Sequence, residues 1–368
     1  MESIYMQVLA ATLILGLLMP QSGRNRKYYI LLMTALHVFV SGFRYFHLTG
    51  DLMKYHATYL DLWQLDWLSC ALYNDGRNFG FFLYLKLLGV LTNGNFQMVL
   101  FSIAVIIHVI LALAVYRYSP APWMSYLIWN GLGFYLFGFS AIKQSLAMAF
   151  VMLSFSGIAN RNRKQFLVCM AVAGAVHMPA LIFLPAYPLA RIRLSPRILI
   201  FYLLSGILLF LSKDRFVNWL SSLYYVDGDL FVFTGKVGNR FWMILGFTLF
   251  SILFSGFRNP NLEKLFPVIA VSAMIQIFSG YSNLFTRMAD YYFQLSVLYL
   301  PMLFYTDRQP VQPHSMTPLL PFNARSKQLL AALLCGFVIW FYYTYNINVS
   351  IPYAVDNYLN YRFLWDVK

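Results

Sequence analysis

The sequence predicts an all-α, polytopic membrane protein with about 11 transmembrane helices plus re-entrant segments, its active-site cavity at the outer face. Three observations carry that prediction. Of 368 residues, 60% are hydrophobic and only 11% charged, against about 25% charged in soluble domains. The apolar residues gather into stretches near the roughly 20 residues that cross a bilayer as a helix. The basic residues gather in the short loops between those stretches.

The first stretch has no positive charge before it, and Arg24, Arg26 and Lys27 follow it. A secretory signal peptide has the reverse order, so this segment reads as a retained helix with its N-terminus outside. The spans are residues 3–20, 28–46, 96–116, 122–140, 141–159, 165–189, 197–212, 240–257, 265–284, 288–306 and 328–347. A shorter piece, 79–92, reads as re-entrant. No polar stretch is long enough to bury a core of its own, so residues 1–368 read as a single integral membrane domain.

Short basic loops stay cytoplasmic. Arg24–Lys27, Arg117, Arg161–Lys164, Arg191–Arg197, Arg258–Lys264 and Arg325–Lys327 can all do so if 79–92 and 165–189 fail to cross in the ordinary way. The second of these is too short to cross twice as full helices and must be a broken or re-entrant pair. Irregular backbone at that depth is tolerated only in buried or wet surroundings, which implies a cavity. Loops 47–78 and 213–239 and the tail after 347 then lie outside. The cytoplasmic loops collect 15 of the 27 Lys and Arg residues and only two acids, Glu263 and Asp307. The formal charge of +14 therefore reports membrane insertion, and no nucleic-acid partner is expected.

Ionisable groups at membrane depth mark function by default. Arg44 ends the second span, with Gly50, Asp51 and Tyr55 after it; if the helix continued, Arg44 and Asp51 would share a face two turns apart. The alternative for Arg44 is a side chain snorkelling to headgroups. Lys143 and Gln144 open a later helix, where Lys143 is either an anion contact or an interfacial anchor. His177 lies in the broken segment two residues before Pro179 and can serve as a base. His37 and His108, on apolar helices, suit interhelical hydrogen bonds instead. Arg287 has Asp290 and Tyr291 at i+3 and i+4, so a local ion pair competes with a phosphate-binding role. Trp63, Trp67, Tyr55, Tyr59 and Tyr73 crowd the 47–78 loop, either to stack on sugar rings or to pack against the membrane surface. Asp227-Gly228-Asp229 has the form of a DxD metal site, but a turn at Gly228 explains it. Cys70, Cys169 and Cys335 are too dispersed for a zinc site or a disulfide scaffold. No metal and no cofactor is expected.

In order and spacing, Arg44…Gly50-Asp51…Tyr55, Lys143-Gln144-Ser145-Leu146-Ala147, His177-Met178-Pro179-Ala180 and Arg287…Tyr291 resemble the EpsG-like family of bacterial polysaccharide polymerases, which share the role of Wzy-type polymerases. The family carries Arg where this chain has Lys143, which keeps the charge and loses the bidentate fork. The resemblance implies a multi-pass protein of the bacterial inner membrane. Its substrates would be undecaprenyl-pyrophosphate-linked oligosaccharides, joined at the outer face into O-antigen, capsule or exopolysaccharide, with a flippase and a chain-length regulator as partners in the bilayer. Arg44 and Arg287, with Lys143, would hold the pyrophosphate; Gln144, Tyr55 and Tyr291 would bind substrate; His177 or Asp51 would be the base. A transporter or flippase of the same lipids, an O-antigen ligase and a membrane acyltransferase are the competing readings. A transporter would place its charges near the bilayer midplane, whereas these gather toward the outer ends.

Overall fold

The computed structural model describes residues 4–45, 50–223, 237–255, 257, 259–305, 324–344 and 361–366. Helices follow in the order α1 (Ile4–Leu18), α2 (Gly23–Gly42), α3 (Gly50–Leu62), α4 (Trp67–Leu72), α5 (Phe79–Thr92), α6 (Phe96–Tyr118), α7 (Pro122–Gly131), α8 (Phe134–Phe137), α9 (Ile142–Ala159), α10 (Arg163–Val176), α11 (Ala186–Leu189), α12 (Pro196–Leu223), α13 (Asn239–Phe254), α14 (Pro260–Gln276), α15 (Asn283–Phe293), α16 (Ser296–Tyr305) and α17 (Ala324–Phe341). No strand forms among the described residues; Arg44 and Phe363 make an isolated antiparallel bridge. The protein is an all-α polytopic membrane protein. By length and hydropathy, Phe96–Tyr118, Ile142–Ala159, Pro196–Trp219 and Arg325–Thr344 can each cross a bilayer alone, and five shorter apolar helices of 10–17 residues accompany them.

Local chemistry sets the helix ends. Proline opens α7 and α14 at a position whose missing N–H costs nothing. Asn95, Asn162, Asn259 and Ser282 accept bonds from the first free amides of α6, α10, α14 and α15. Outside the spans, Asp66 caps α4, and its bonds to the Ser69 hydroxyl and amide hold the carboxyl below the usual carboxylate range.

Several predicted spans are interrupted. The 122–140 span divides at Gly133, whose φ of +85° suits a residue without Cβ. The 288–306 span divides into α15 and α16; most of α16 and the C-terminal part of α15 are buried, while Asn283, Leu284 and Arg287 of α15 are exposed. The 165–189 segment breaks as expected: α10 ends at His177, a 3₁₀ turn spans Met178–Phe183, and Tyr187 donates to the Arg161 carbonyl at 3.1 Å. The 79–92 piece is one helix of 14 residues, about 21 Å long at 1.5 Å per residue and so shorter than the hydrocarbon core of about 30 Å. Where residues 213–239 read as a loop, α12 continues as helix to Leu223. The 47–78 loop contains α3 and α4.

The chain forms two compact units. The first comprises Met1–Gly157, Asn162–Leu181 and Gln328–Lys368; the second comprises Ile158–Arg161 and Ile182–Lys327. In the first, α2 runs along α6, α1 against α7, and α3, α4 and α10 gather round α5. Arg26 donates to the Tyr116 and Ser119 carbonyls at 2.7 and 2.8 Å. It thereby satisfies the last carbonyls of α6 and sets the Arg24–Lys27 cluster beside Arg117. At the other end of α2, Gln97 donates to the Gly42 and Arg44 carbonyls at 2.7 and 3.0 Å. The 361–366 segment joins that same end, where Tyr45 N donates to Arg362 O at 3.0 Å and Leu364 N to Phe43 O at 2.9 Å. In the second unit α14 is central and touches α11, α12, α13, α15 and α16.

At the turn into α10, a Cβ on Gly157 would lie 2.6 Å from Phe166 N and 2.9 Å from Asn162 O. Both atoms are backbone and cannot swing aside. Gly157→Ala is expected to cost about 1–3 kcal/mol, the range for overpacking, read as a lower melting temperature of the purified protein in detergent. An unchanged melting temperature would mean that the turn is not closed this tightly.

Candidate functional site

Arg44 stands just beyond the C-cap of α2, in extended backbone bridged to the 361–366 segment. The helix does not continue toward Asp51, so the shared helical face expected for Arg44 and Asp51 does not form; residues 46–49 lie outside the described residues. Nor does Arg44 snorkel. Its side chain is buried, at 2% exposure. Nη1 donates to the Ser41 carbonyl, Nη2 donates to Gly138 O at 3.3 Å, and the guanidinium lies 5.0 Å from the Phe139 ring centroid. Guanidinium suits such a place because it is weakly hydrated and stacks on aromatic faces.

Beside it is a cavity of about 20 Å³ lined by Ser41, Arg44, His108, Trp129, Tyr135 and Ser145, among others. That volume admits a single oxygen-sized guest. Among the described residues, His108 Nδ1, Trp129 Nε1 and Ser145 Oγ of this lining are buried without a hydrogen-bond partner. Leaving such groups unpaired costs about 1–3 kcal/mol each. Their convergence with a guanidinium on one small space marks a polar binding point.

His37 has the opposite character, although its ring centroid is only 5.3 Å from that of His108. Its Nδ1 is 2.6 Å from Met33 O, its Nε2 is 2.8 Å from the Asn130 amide, and that amide reaches Thr12 Oγ1 at 3.0 Å. Each ring nitrogen has a partner, and the Asn130 amide nitrogen donates to Thr12 Oγ1, whose hydroxyl in turn donates to the Val8 carbonyl at 2.8 Å. His37 is thus the satisfied interhelical histidine the sequence suggests. His108, given the same reading, is not: it lines the cavity, and its Nδ1 has no partner among the described residues.

The other predicted residues of the first unit stand on neighbouring elements. Gln144 is buried at the start of α9, next to the cavity-lining Ser145. Lys143 is half-buried, its Nζ 5.9 Å from the Phe82 ring centroid on α5. Adjacent Phe81 meets Tyr55 edge-on at 5.8 Å, so α5 carries Tyr55 and Lys143 on successive residues. Asp51 lies half-buried in the first turn of α3. His177 caps α10 with extended backbone (φ −150°, ψ 100°) and is half-buried, while Met178 N donates to Asn78 Oδ1 at 2.9 Å. Of the loop aromatics, Tyr59 is buried against Phe96, whereas Trp67 is half exposed and carries Lys86 Nζ 5.1 Å from its ring centroid.

Arg287 and Tyr291 belong to the second unit. Arg287 is exposed and Tyr291 buried. Asp290 pairs with Arg240 of α13 at 3.0 Å, and Arg287 acts electrostatically on the same carboxylate. Sequence spacing could suggest only Arg287 as the partner of Asp290. Arg240, 50 residues upstream, has no periodic relation to it. Asp227 and Asp229 lie outside the described residues. No group of three or more His, Cys, Asp or Glu residues able to hold a metal ion occurs among the described residues.

Compared with known proteins, residues 27–313 match the family described as the EpsG family, well over half of the chain. No curated protein and no solved structure matches.

The two histidines provide a test. His37→Phe strands the Asn130 amide and is expected to cost about 1–3 kcal/mol. His108→Phe removes a nitrogen that has no partner at Nδ1 and should leave the melting temperature close to wild type. Equal losses in detergent-solubilised protein would contradict this division of roles.

Proposed function

The chain belongs to the EpsG family, and from that premise we propose that it polymerises lipid-linked oligosaccharide repeats into a surface polysaccharide at the outer face of the bacterial inner membrane. Family membership supports a polymerase-like role in polysaccharide biosynthesis. The finer reading rests on chemistry. In the proposed reaction a growing glycan leaves undecaprenyl pyrophosphate: the bond from the anomeric carbon to the diphosphate oxygen breaks, and a bond to an acceptor hydroxyl of the next lipid-linked repeat forms. The hydroxyl proton passes to a base, and the electron pair leaves with the diphosphate.

The observation that carries this reading is the buried guanidinium of Arg44 at a cavity with unpartnered polar atoms. Donors held in a water-excluded site stabilise developing negative charge far better than they would in water. The cavity is too small for a diphosphate, so Arg44 engages one substrate oxygen there. Exposed Arg287 and half-buried Lys143 are the cations assigned to the phosphate groups in this proposal. His177 and Asp51 remain the two bases, both half-buried and carried on loop-flanking helix ends. Gln144, Tyr55 and Tyr291 orient sugar or phosphate. Lipid diphosphate is a good leaving group, so charge stabilisation and one base suffice in principle. The flippase that delivers repeats and a chain-length regulator are the partners this role requires.

Arg287→Ala should leave the protein inserted at wild-type level while long-chain polymer disappears from a gel of surface glycan. Arg44→Lys keeps the charge but loses the two-nitrogen fork, and is expected to reduce polymer yield at least tenfold, a loss of about 1.4 kcal/mol in transition-state stabilisation. Normal polymer length and yield from both variants would remove the basis of the assignment.

A further inference from the structure

Within the second unit, α12, α13 and α14 enclose a groove of about 280 Å³. Its walls are apolar, formed by residues such as Gly206, Phe210, Phe241, Trp242, Ala270 and Ala273. The α13 side extends from Phe241 to Ile252, about 16 Å at 1.5 Å per residue, or roughly half the hydrocarbon thickness of about 30 Å.

One end of the groove, at Phe210, Phe241 and Ile277, becomes charged within a helical turn. Lys213 Nζ lies 5.9 Å from the Phe210 ring centroid and 3.4 Å from the Tyr281 hydroxyl, which itself donates to Asp214. Arg240 immediately precedes Phe241 and pairs with Asp290, on which Arg287 also acts. Among the described residues, Lys213, Arg240 and Arg287 outnumber the two carboxylates there, Asp214 and Asp290, which pair with Lys213 at 3.7 Å and Arg240 at 3.0 Å. The loop charges assign this end to the outer face.

We propose that the groove holds the polyisoprenoid chain of a lipid-linked saccharide, with the lipid phosphate at the Lys213–Arg240–Arg287 end. This rests on the lipid-linked donor of the proposed function and adds where its tail is held. A hydrocarbon chain matches the apolar walls, and small residues at 206, 270 and 273 leave room for methyl branches. Electrostatic attraction to phosphate at that end, with the tail lying inward, fixes the direction in which the lipid enters.

The test uses full-length protein in nanodiscs of phosphatidylethanolamine and phosphatidylglycerol. The probe is a polyprenyl monophosphate carrying a diazirine on its chain. Crosslinks are expected on peptides from α12 and α13, displaced by unlabelled polyprenyl phosphate but not by an equal addition of phosphatidylglycerol. A Cβ at Gly206 meets nothing within 4 Å, so a side chain can start there without a backbone clash, and Gly206→Trp, at a position that lines the groove, should reduce labelling roughly tenfold, about 1.4 kcal/mol. Gly246→Trp is the control: its position is equally open but does not line the groove, and labelling should persist. Equal displacement by phosphatidylglycerol, or full labelling of Gly206→Trp, overturns the proposal. Specific labelling by a protein that makes no polymer in vitro would overturn the polymerase reading alone. Polymer formed by Gly206→Trp with unchanged KM would overturn the groove alone.

Discussion

The hydrocarbon interior offers no water to a buried polar group, so each must find its partner in the protein or in what the protein binds. Arg44 meets that demand by ending α2 in an extended turn where carbonyls of Ser41 and Gly138 are within reach. The same turn receives the 361–366 segment and the Gln97 amide. Arg44 thus ties together three elements: its guanidinium joins the end of α2 to the approach to α9, and its backbone carbonyl receives Gln97 from the start of α6. His37, Asn130 and Thr12 satisfy the demand along α1, α2 and α7 with bonds of 2.8 and 3.0 Å between helices. Where it is left unmet, at His108 Nδ1, Trp129 Nε1 and Ser145 Oγ, the first unit has its cavity.

The second unit handles charge differently. Asp290 is buried, and the Arg240 pair compensates for it; removing one partner of such a pair leaves an uncompensated charge and costs more than the pair contributes. Arg287, at i+3 from Asp290, acts on the same carboxylate and is itself exposed. The pairing also joins α13 to α15 at the charged end of the apolar groove.

Fold class and most helix positions were legible because apolar length and loop charge are one-dimensional signals. The break at His177 was legible for the same reason, since basic residues at both ends of 165–189 left no room for a simple crossing. The extension of α12 past residue 212 was not, because Lys213, Asp214 and Arg215 look like loop residues, whereas a helix end at the membrane surface carries such residues without penalty. Among candidate site residues, the motif positions Arg44, Lys143, His177 and Arg287 could be named from the sequence. His108 and Arg240 could not. Their significance comes from contacts across α2–α6–α9 and α13–α15, which no short spacing encodes. The only sign in the sequence was a lone histidine or arginine in or beside an apolar helix.

Turnover of purified protein with a synthetic repeat on a polyprenyl diphosphate tests the central claim most directly, with products resolved by mass. The account predicts a ladder at integral multiples of the repeat and release of one lipid diphosphate for each bond formed. Folded protein that leaves only single repeats, or that moves the lipid across a bilayer without lengthening the glycan, would contradict it.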